Sequence, residues 1–403
     1  MPRFLLAVLL ALACIAPAGA STDCSPLASP NADDMRRIER IVRDMNREGL
    51  RDFDQRRLSE YLGDAAVSPL AEWYTRVLIA TGAAGKPTPQ TMSAARALKR
   101  TLSGRRGLEL SNAVFVDDVV TTFGANDAQT IEQQLCTASV TRHWDPSADP
   151  SVLQGPAGSA TPIDPLIVDW ARSRVPALSV FQGVESTSKA LALIEGPIYI
   201  DHPFNALTAL AGKADFDLAP YNRAQNLPYF SDGQIVGVRL DSGDGSLSLY
   251  AFTGSNDAIA ALHQNLDLAR WTHLSQQFVP KMIFLGGVDL NLETSNGFDP
   301  RTNLVYGTQL YTPGLSNDIA RETVALRIDR AGASLAILNG VAGRTPIHQL
   351  MHVSSDQFLT ARPIVSLSAP MLYIVVDRPT GAILLVGAHI SQSCYFGLSN
   401  CAG

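Results

Sequence analysis

PMLYIVVDRPTGAILLVG, residues 370–387, consists of two apolar runs, rich in β-branched side chains, on either side of a polar turn. Runs of this kind, joined by a short turn that contains Pro and Gly, predict an antiparallel β-hairpin. Such hairpins are common, so the fold is decided by what precedes this one along the chain.

Helices dominate the first half of the chain and strands the second. Asp33 and Asp34 can begin an amphipathic helix that we expect to stop near Gly49, and another helix follows Ser68-Pro69. The β-rich runs are separated by Gly, Asp and Pro, and they occupy residues 235–240, 246–252, 324–328, 372–376 and 383–386. No repeat and no linker interrupts the sequence, which therefore predicts a single α+β domain.

Further motifs precede the hairpin in a definite order. They are the Ser-Pro start and Gly-Ala-Ala-Gly end of the second helix, then residues 110–116, 167–171, 196–200 and 322–332. Together with the hairpin they resemble the motifs of the serpin family, the serine protease inhibitors. They occur in the same order as in that family and cover nearly the whole chain after its first 20 residues. The resemblance implies an α+β fold with helices packed around a large mixed β-sheet, further sheets and an exposed reactive loop, in a protein that is not an enzyme.

The sequence departs from the family in the polar cluster beneath the main sheet. Ser68 is retained, but Ala71, Gly196 and Glu322 stand where the family has Ser, Asn and His, and the Trp after the strand at Gly196 is missing. In serpins this cluster controls how the sheet opens to admit the loop. The departures leave two functions open: a secreted inhibitor of a serine or, as the lesser alternative, a cysteine endopeptidase, and a non-inhibitory serpin-fold binding or interaction protein.

A serpin loop inhibits by being cut and then entering the main sheet as a strand, so its inward-facing residues must be apolar. Counting from Gly332, the residues expected to face the core are Ala333, Leu335, Ile337, Asn339, Val341 and Gly343. Most are apolar, although Leu335 and Ile337 are bulkier than the small residues typical of an efficient inhibitor. The resemblance places the loop hinge at Gly332, Ala333, Ser334, Leu335, Ala336 and Ile337.

Two positions compete for the bond that the peptidase attacks. Arg344-Thr345 would suit a trypsin-like specificity pocket that carries a carboxylate. Family spacing from Gly332 instead favours Pro346-Ile347. We take Arg344 as the bait residue and expect it in an exposed loop of the intact chain.

The first 20 residues, a positive start followed by a short apolar run and the small residues Ala18-Gly19-Ala20, predict a signal peptide. We therefore expect an exported protein, secreted or periplasmic, with a domain over residues 21–393 and a tail over residues 394–403. Four cysteines remain after cleavage, and they allow three pairings or free thiols. We favour Cys394 with Cys401, closing the tail, and Cys24 with Cys136.

Other chemistries have weaker support. A net charge of −6 gives no reason to expect nucleic acid, and no apolar run is long enough for a membrane span. The Ser-x-x-Lys motif of residues 186–189 lacks a companion Lys-Thr-Gly, and His348 and His352 lack the Glu of a zinc-protease helix. We expect a monomer whose partner is a peptidase, without catalytic residues, metal or cofactor.

Overall fold

The computed structural model describes residues 24–27, 30–55, 64–81, 87–117, 125–142, 165–175, 204–216, 218, 223–283, 285, 290–297, 316–329, 332–344 and 370–389. The helices of this part are α1 (Ala32–Gln55), α2 (Pro69–Thr81), α3 (Pro89–Ser103), α4 (Ala125–Leu135), α5 (Pro165–Arg174), α6 (Asn256–Gln264) and α7 (Leu268–Ser275). Its strands are β1 (Asp64–Val67), β2 (Leu108–Asp117), β3 (Ala138–Arg142), β4 (Phe204–Asp215), β5 (Gln225–Ser231), β6 (Ile235–Asp241), β7 (Leu247–Gly254), β8 (Val279–Ile283), β9 (Leu290–Gly297), β10 (Ser316–Asp329), β11 (Gly332–Arg344), β12 (Met371–Asp377) and β13 (Ala382–His389).

The described strands form two sheets. One is seven-stranded, in the order β1-β13-β12-β7-β6-β5-β8, and the pairs in it are antiparallel. The other, here called the main sheet, is six-stranded, in the order β3-β2-β4-β11-β10-β9, and it is mixed because β2 and β3 are parallel. An α+β architecture with helices around a large mixed sheet is therefore confirmed.

The predicted hairpin is present as β12 and β13, and all of its strand residues except His389 are buried. Side chains that alternate along β12 enter two different apolar clusters: Tyr373 and Val375 one, Leu372 and Ile374 the other. Because both faces of the strands are covered, the sequence is a continuous apolar run rather than an alternating one. The turn is held by the buried Asp377 carboxylate, which accepts hydrogen bonds from the backbone N–H and the hydroxyl of Thr380.

Helix α2 is buried on all sides and lies between the sheets. It packs on β4 and β11 of the main sheet and on β13 of the other, and each of its residues is buried. Its one basic residue, Arg76, is surrounded by three carboxylates, those of Glu72, Asp52 and Glu48, at 3.2, 2.6 and 3.6 Å. The predicted start at Ser68-Pro69 is confirmed, and the helix ends at Thr81 as the glycines that follow predict.

The prediction that the first helix stops near Gly49 is wrong, because α1 continues to Gln55. Gly49 lies where α1 crosses the start of α2, and a Cβ atom there would meet the Cβ atom of Pro69 at 2.3 Å. The glycine therefore serves a close approach of two helices rather than a helix end.

The described residues cover only part of what was predicted for the termini and the cysteines. The structure joins Cys24 to Cys136 in a disulfide, the pairing that we favoured. The signal peptide, the tail and Cys394 and Cys401 lie outside the described residues. None of the described helices has a stretch long and apolar enough to cross a membrane.

The tight packing of the hairpin gives a test of the fold. Gly387 lies opposite Tyr373, and a Cβ atom at Gly387 would meet the Tyr373 ring and hydroxyl at 2.2–2.6 Å. Because Tyr373 is fully buried, we expect Gly387→Ala to lower the free energy of unfolding by about 1–3 kcal/mol. Urea unfolding followed by tryptophan fluorescence measures it.

The matched control is Gly243→Ala. A Cβ atom there meets no heavy atom closer than 4.0 Å, so its stability should remain within about 0.5 kcal/mol of the parent protein. Equal stability of the two variants would contradict the close approach at Gly387.

Candidate functional site: the segment inserted in the main sheet

Strand β11 contains the predicted hinge and the predicted bait residue. It runs antiparallel to β4 on one side and to β10 on the other. Gly332 is paired with Asp215 of β4 and Asp329 of β10, and at the far end Arg344 is paired with Ser316 of β10. Residues 332–344, where the resemblance places the hinge and the bait residue, therefore form a central strand, and Arg344 is the last residue of that strand rather than part of a loop.

Burial on both faces explains this arrangement. Leu335 and Ile337 enter the main core, and Ala333 packs against it. Ala336 and Leu338 point the other way, into a cluster that includes Ala171 of α5. An exposed segment would leave these side chains in water and its backbone groups unpaired, whereas insertion buries the side chains and pairs the backbone on both edges. The predicted alternation of inward and outward residues is confirmed for residues 333–339.

The polar cluster beneath the main sheet is present, although its composition differs from the family pattern. The buried carboxylate of Glu322, on β10, accepts a hydrogen bond of 2.9 Å from the backbone N–H of Ser68. The Ser68 hydroxyl donates to the backbone carbonyl of Leu384 on β13 at 2.6 Å and accepts from the N–H of Ala71. Glu322, which departs from the family pattern, thus takes part in this cluster. Gly196 lies outside the described residues.

The strand pairings join further polar residues into a row across four strands of the main sheet. Asn112 of β2 is paired with Thr208 of β4, Thr208 with Asn339 of β11, and Asn339 with Glu322 of β10. The Thr208 hydroxyl lies 2.8 Å from the Asn112 amide nitrogen, which donates to it, and 2.8 Å from the Thr75 hydroxyl of α2. We call these four residues, Asn112, Thr208, Asn339 and Glu322, the polar row.

Asn339 is the exception within the polar row. Its side chain is 0% exposed, and neither its amide nitrogen nor its amide oxygen has a hydrogen-bond partner. A buried amide in this state costs about 1–3 kcal/mol. The sequence showed that Asn339 faces the core, but its strand neighbours come from distant parts of the chain and could not be identified from the sequence.

The remaining predicted site residues are only partly described. Arg344 is the last residue of β11, whereas Thr345, Pro346 and Ile347 lie outside the described residues, as do residues 186–189 and His348 and His352. Within the described part of the chain, no group of three or more His, Cys, Asp or Glu side chains is placed to hold a metal ion.

Comparison with solved structures identifies this arrangement of sheets. A thermophilic serpin, tengpin, in the latent state superposes with a TM-score of 0.61 at 11% identity, over 90% of this chain and 99% of that chain. The chain has the serpin fold. A loop-inserted, cleaved ovalbumin mutant also gives a TM-score of 0.61, at 11% identity over 87% of this chain and 99% of that one.

A third solved structure is also similar in fold. The reactive-loop-cleaved human thyroxine-binding globulin gives a TM-score of 0.52 at 10% identity, over 69% of this chain and 90% of that one. No protein-family model matches the sequence, and no curated protein matches it. At these identities the structural likeness establishes the serpin fold, and the function has to be argued from the site.

The unpaired amide of Asn339 leads to a prediction. We expect Asn339→Leu to raise the free energy of unfolding by about 1–3 kcal/mol, because a side chain of similar size removes a buried amide without breaking a hydrogen bond. Thermal unfolding followed by circular dichroism measures the change.

Asn46→Leu is the control, since Asn46 is also buried but has a hydrogen bond at both its amide nitrogen and its amide oxygen. Its amide nitrogen donates to the carbonyl of Gly381 at 2.8 Å, and its amide oxygen accepts from the N–H of Ile383 at 3.0 Å. This variant should lose stability by about 1–3 kcal/mol. Destabilisation by Asn339→Leu of the same size would show that Asn339 is bonded in solution.

Proposed function

We propose that this protein is an exported, monomeric serpin-type inhibitor of a serine endopeptidase, trypsin-like by preference. The observation that supports the proposal is β11 itself. A segment that the sequence places in the reactive loop fits between β4 and β10, with apolar side chains on both faces and a bonded partner strand on each edge.

Inhibition requires a conformer in which this segment lies outside the main sheet. The hydroxyl oxygen of the peptidase's catalytic serine then attacks the carbonyl carbon of Arg344, and the bond from this carbon to the nitrogen of Thr345 breaks. The new amine of Thr345 takes up the proton that the serine hydroxyl loses. Arg344 is left as an ester of the peptidase serine. Insertion of the 13 residues of β11, at about 3.3 Å per residue, carries that ester about 40 Å along the main sheet.

The energy of insertion favours the inserted state. Leu335, Ile337 and Leu338 become almost fully buried, and each contributes about 1.5–3 kcal/mol relative to exposure. The unpaired amide of Asn339 opposes this with about 1–3 kcal/mol. The apolar gain of these three side chains exceeds the cost of the one unpaired amide, so the bulky side chains of the hinge favour the inserted state.

A second function is supported by the intact chain having β11 already in place. In this conformer residues 332–344 offer no loop to a peptidase, which is compatible with a non-inhibitory serpin-fold binding or interaction protein. The two functions differ in the product that forms when a peptidase is added to freshly purified protein.

Blocking insertion tests the inhibitor proposal. Ala336 is 2% exposed in the cluster beneath α5, so Ala336→Arg would bury a charge on insertion. We expect the parent protein to form a covalent complex with trypsin that survives denaturing electrophoresis, and Ala336→Arg to be cut without forming that complex.

Ser231→Arg provides the control, because it adds the same charge at an exposed strand position. It should form the complex as the parent does. If the parent protein gives only cleaved product, or no reaction, with trypsin-like and elastase-like peptidases at any ratio, the inhibitor proposal fails and the binding function is favoured.

The identity of the bait residue is tested separately. We expect Arg344→Ala to abolish reaction with trypsin while the melting temperature stays within about 2–4 °C of that of the parent, because a residue at the end of a strand loses few contacts. Mass spectrometry of the released peptide locates the cut. A dominant cut after Pro346, or further along the segment, would overturn the assignment of Arg344.

A further inference from the structure

A cavity of about 260 Å³ lies beside β2, away from β11. Its lining includes Leu110–Asn112 of β2, which precede the part of β2 that pairs with β3, since that pairing begins opposite Ala113. Helix α3, helix α5 and the Cys24–Cys136 disulfide supply its walls. The site is not evident from the sequence, since its walls come from five separate parts of the chain.

Three cations face this cavity. Lys99, Arg100 and Arg174 line it. Arg174 forms an ion pair of 2.7 Å with Glu109, and the Arg100 side chain donates to the carbonyl of Ser25. The cavity therefore has an excess of positive charge.

Lys99 is the most unusual of the three. It is 6% exposed, and its ammonium donates to the carbonyls of Leu135 and Cys136 at 3.3 and 2.6 Å. None of the described carboxylates forms an ion pair with it, and one of its three N–H donors is left over. Burial, with a smaller contribution from Arg174, lowers the pKa of the Lys99 ammonium to about 7. An anion in the cavity would compensate this buried charge.

The apolar part of the lining is flat. Trp170 of α5 faces the cavity, and Phe115 packs edge-on against its ring at 6.3 Å between centroids. A volume of 260 Å³ is that of about nine water molecules at about 30 Å³ each, which corresponds to a ligand of about ten non-hydrogen atoms.

We propose that this cavity binds a small aromatic carboxylic acid. The carboxylate lies against Lys99 and Arg174, and the ring contacts Trp170. Such a ligand would match the charge and the apolar surface of the cavity together. Nothing in this inference depends on a peptidase.

Calorimetric titration of the full mature protein at constant ionic strength tests the proposal, with benzoate as the probe. Phenol lacks the charge and should show no heat of binding, and an equal concentration of inorganic phosphate should not displace the probe.

Variants tie the binding to this cavity. Lys99→Met and Arg174→Gln should each weaken the binding of benzoate at least about tenfold. Lys213→Met, at a side chain on β4 that is 76% exposed, should leave the affinity unchanged. Since Lys99 is buried, Arg174→Gln decides the matter if Lys99→Met does not fold.

Three results would overturn the proposal. They are the absence of binding by benzoate at millimolar concentration, equal affinity for benzoate and phenol, and an unchanged affinity for benzoate in Arg174→Gln. Each can be obtained whether or not the protein inhibits a peptidase.

Discussion

The position of Ser68 between the two sheets is the constraint on which the rest of the structure depends. Its backbone N–H is bonded to Glu322 of the main sheet, and its hydroxyl to the carbonyl of Leu384 in the seven-stranded sheet, while the same hydroxyl caps α2. These groups are buried, so each hydrogen bond that is lost leaves a polar group unpaired in the interior. Both sheets must therefore be in place for the backbone N–H and the hydroxyl of Ser68, at the start of α2, to have their hydrogen-bond partners.

Helix α2 in turn supports the strands that surround the inserted segment. It contacts β4 and β11 from below, and its Thr75 is bonded to Thr208 in the polar row. The apolar residues of β11 thus pack against the core that contains α2 on one face and against the cluster beneath α5 on the other. Glu322, although it departs from the family pattern, is part of the cluster between the sheets, because its carboxylate accepts the hydrogen bond from the N–H of Ser68.

The parts of the fold that sequence predicted share one property: they are determined locally. The hairpin, the start of α2 and the faces of residues 333–339 follow from apolar periodicity and from capping residues. The state of residues 332–344 did not follow, because the same alternation suits an exposed loop or a strand, and only β4 and β10 decide between them. Asn112, Thr208 and Lys99 could not be grouped either, since β-pairing and the packing of α3 bring them together from distant parts of the sequence.

The pairing of β1 with β13 has a consequence for how the chain is made. Residues 64–67 lie beside residues 386–389, so β1, which is made early, can pair only after β13 has been synthesised. Contacts this distant in sequence are costly in loop-closure entropy and form late. The seven-stranded sheet therefore cannot finish folding while the ribosome still holds the C-terminal residues. A chain translocated through a membrane pore before the release of these residues would not have to unfold this sheet first.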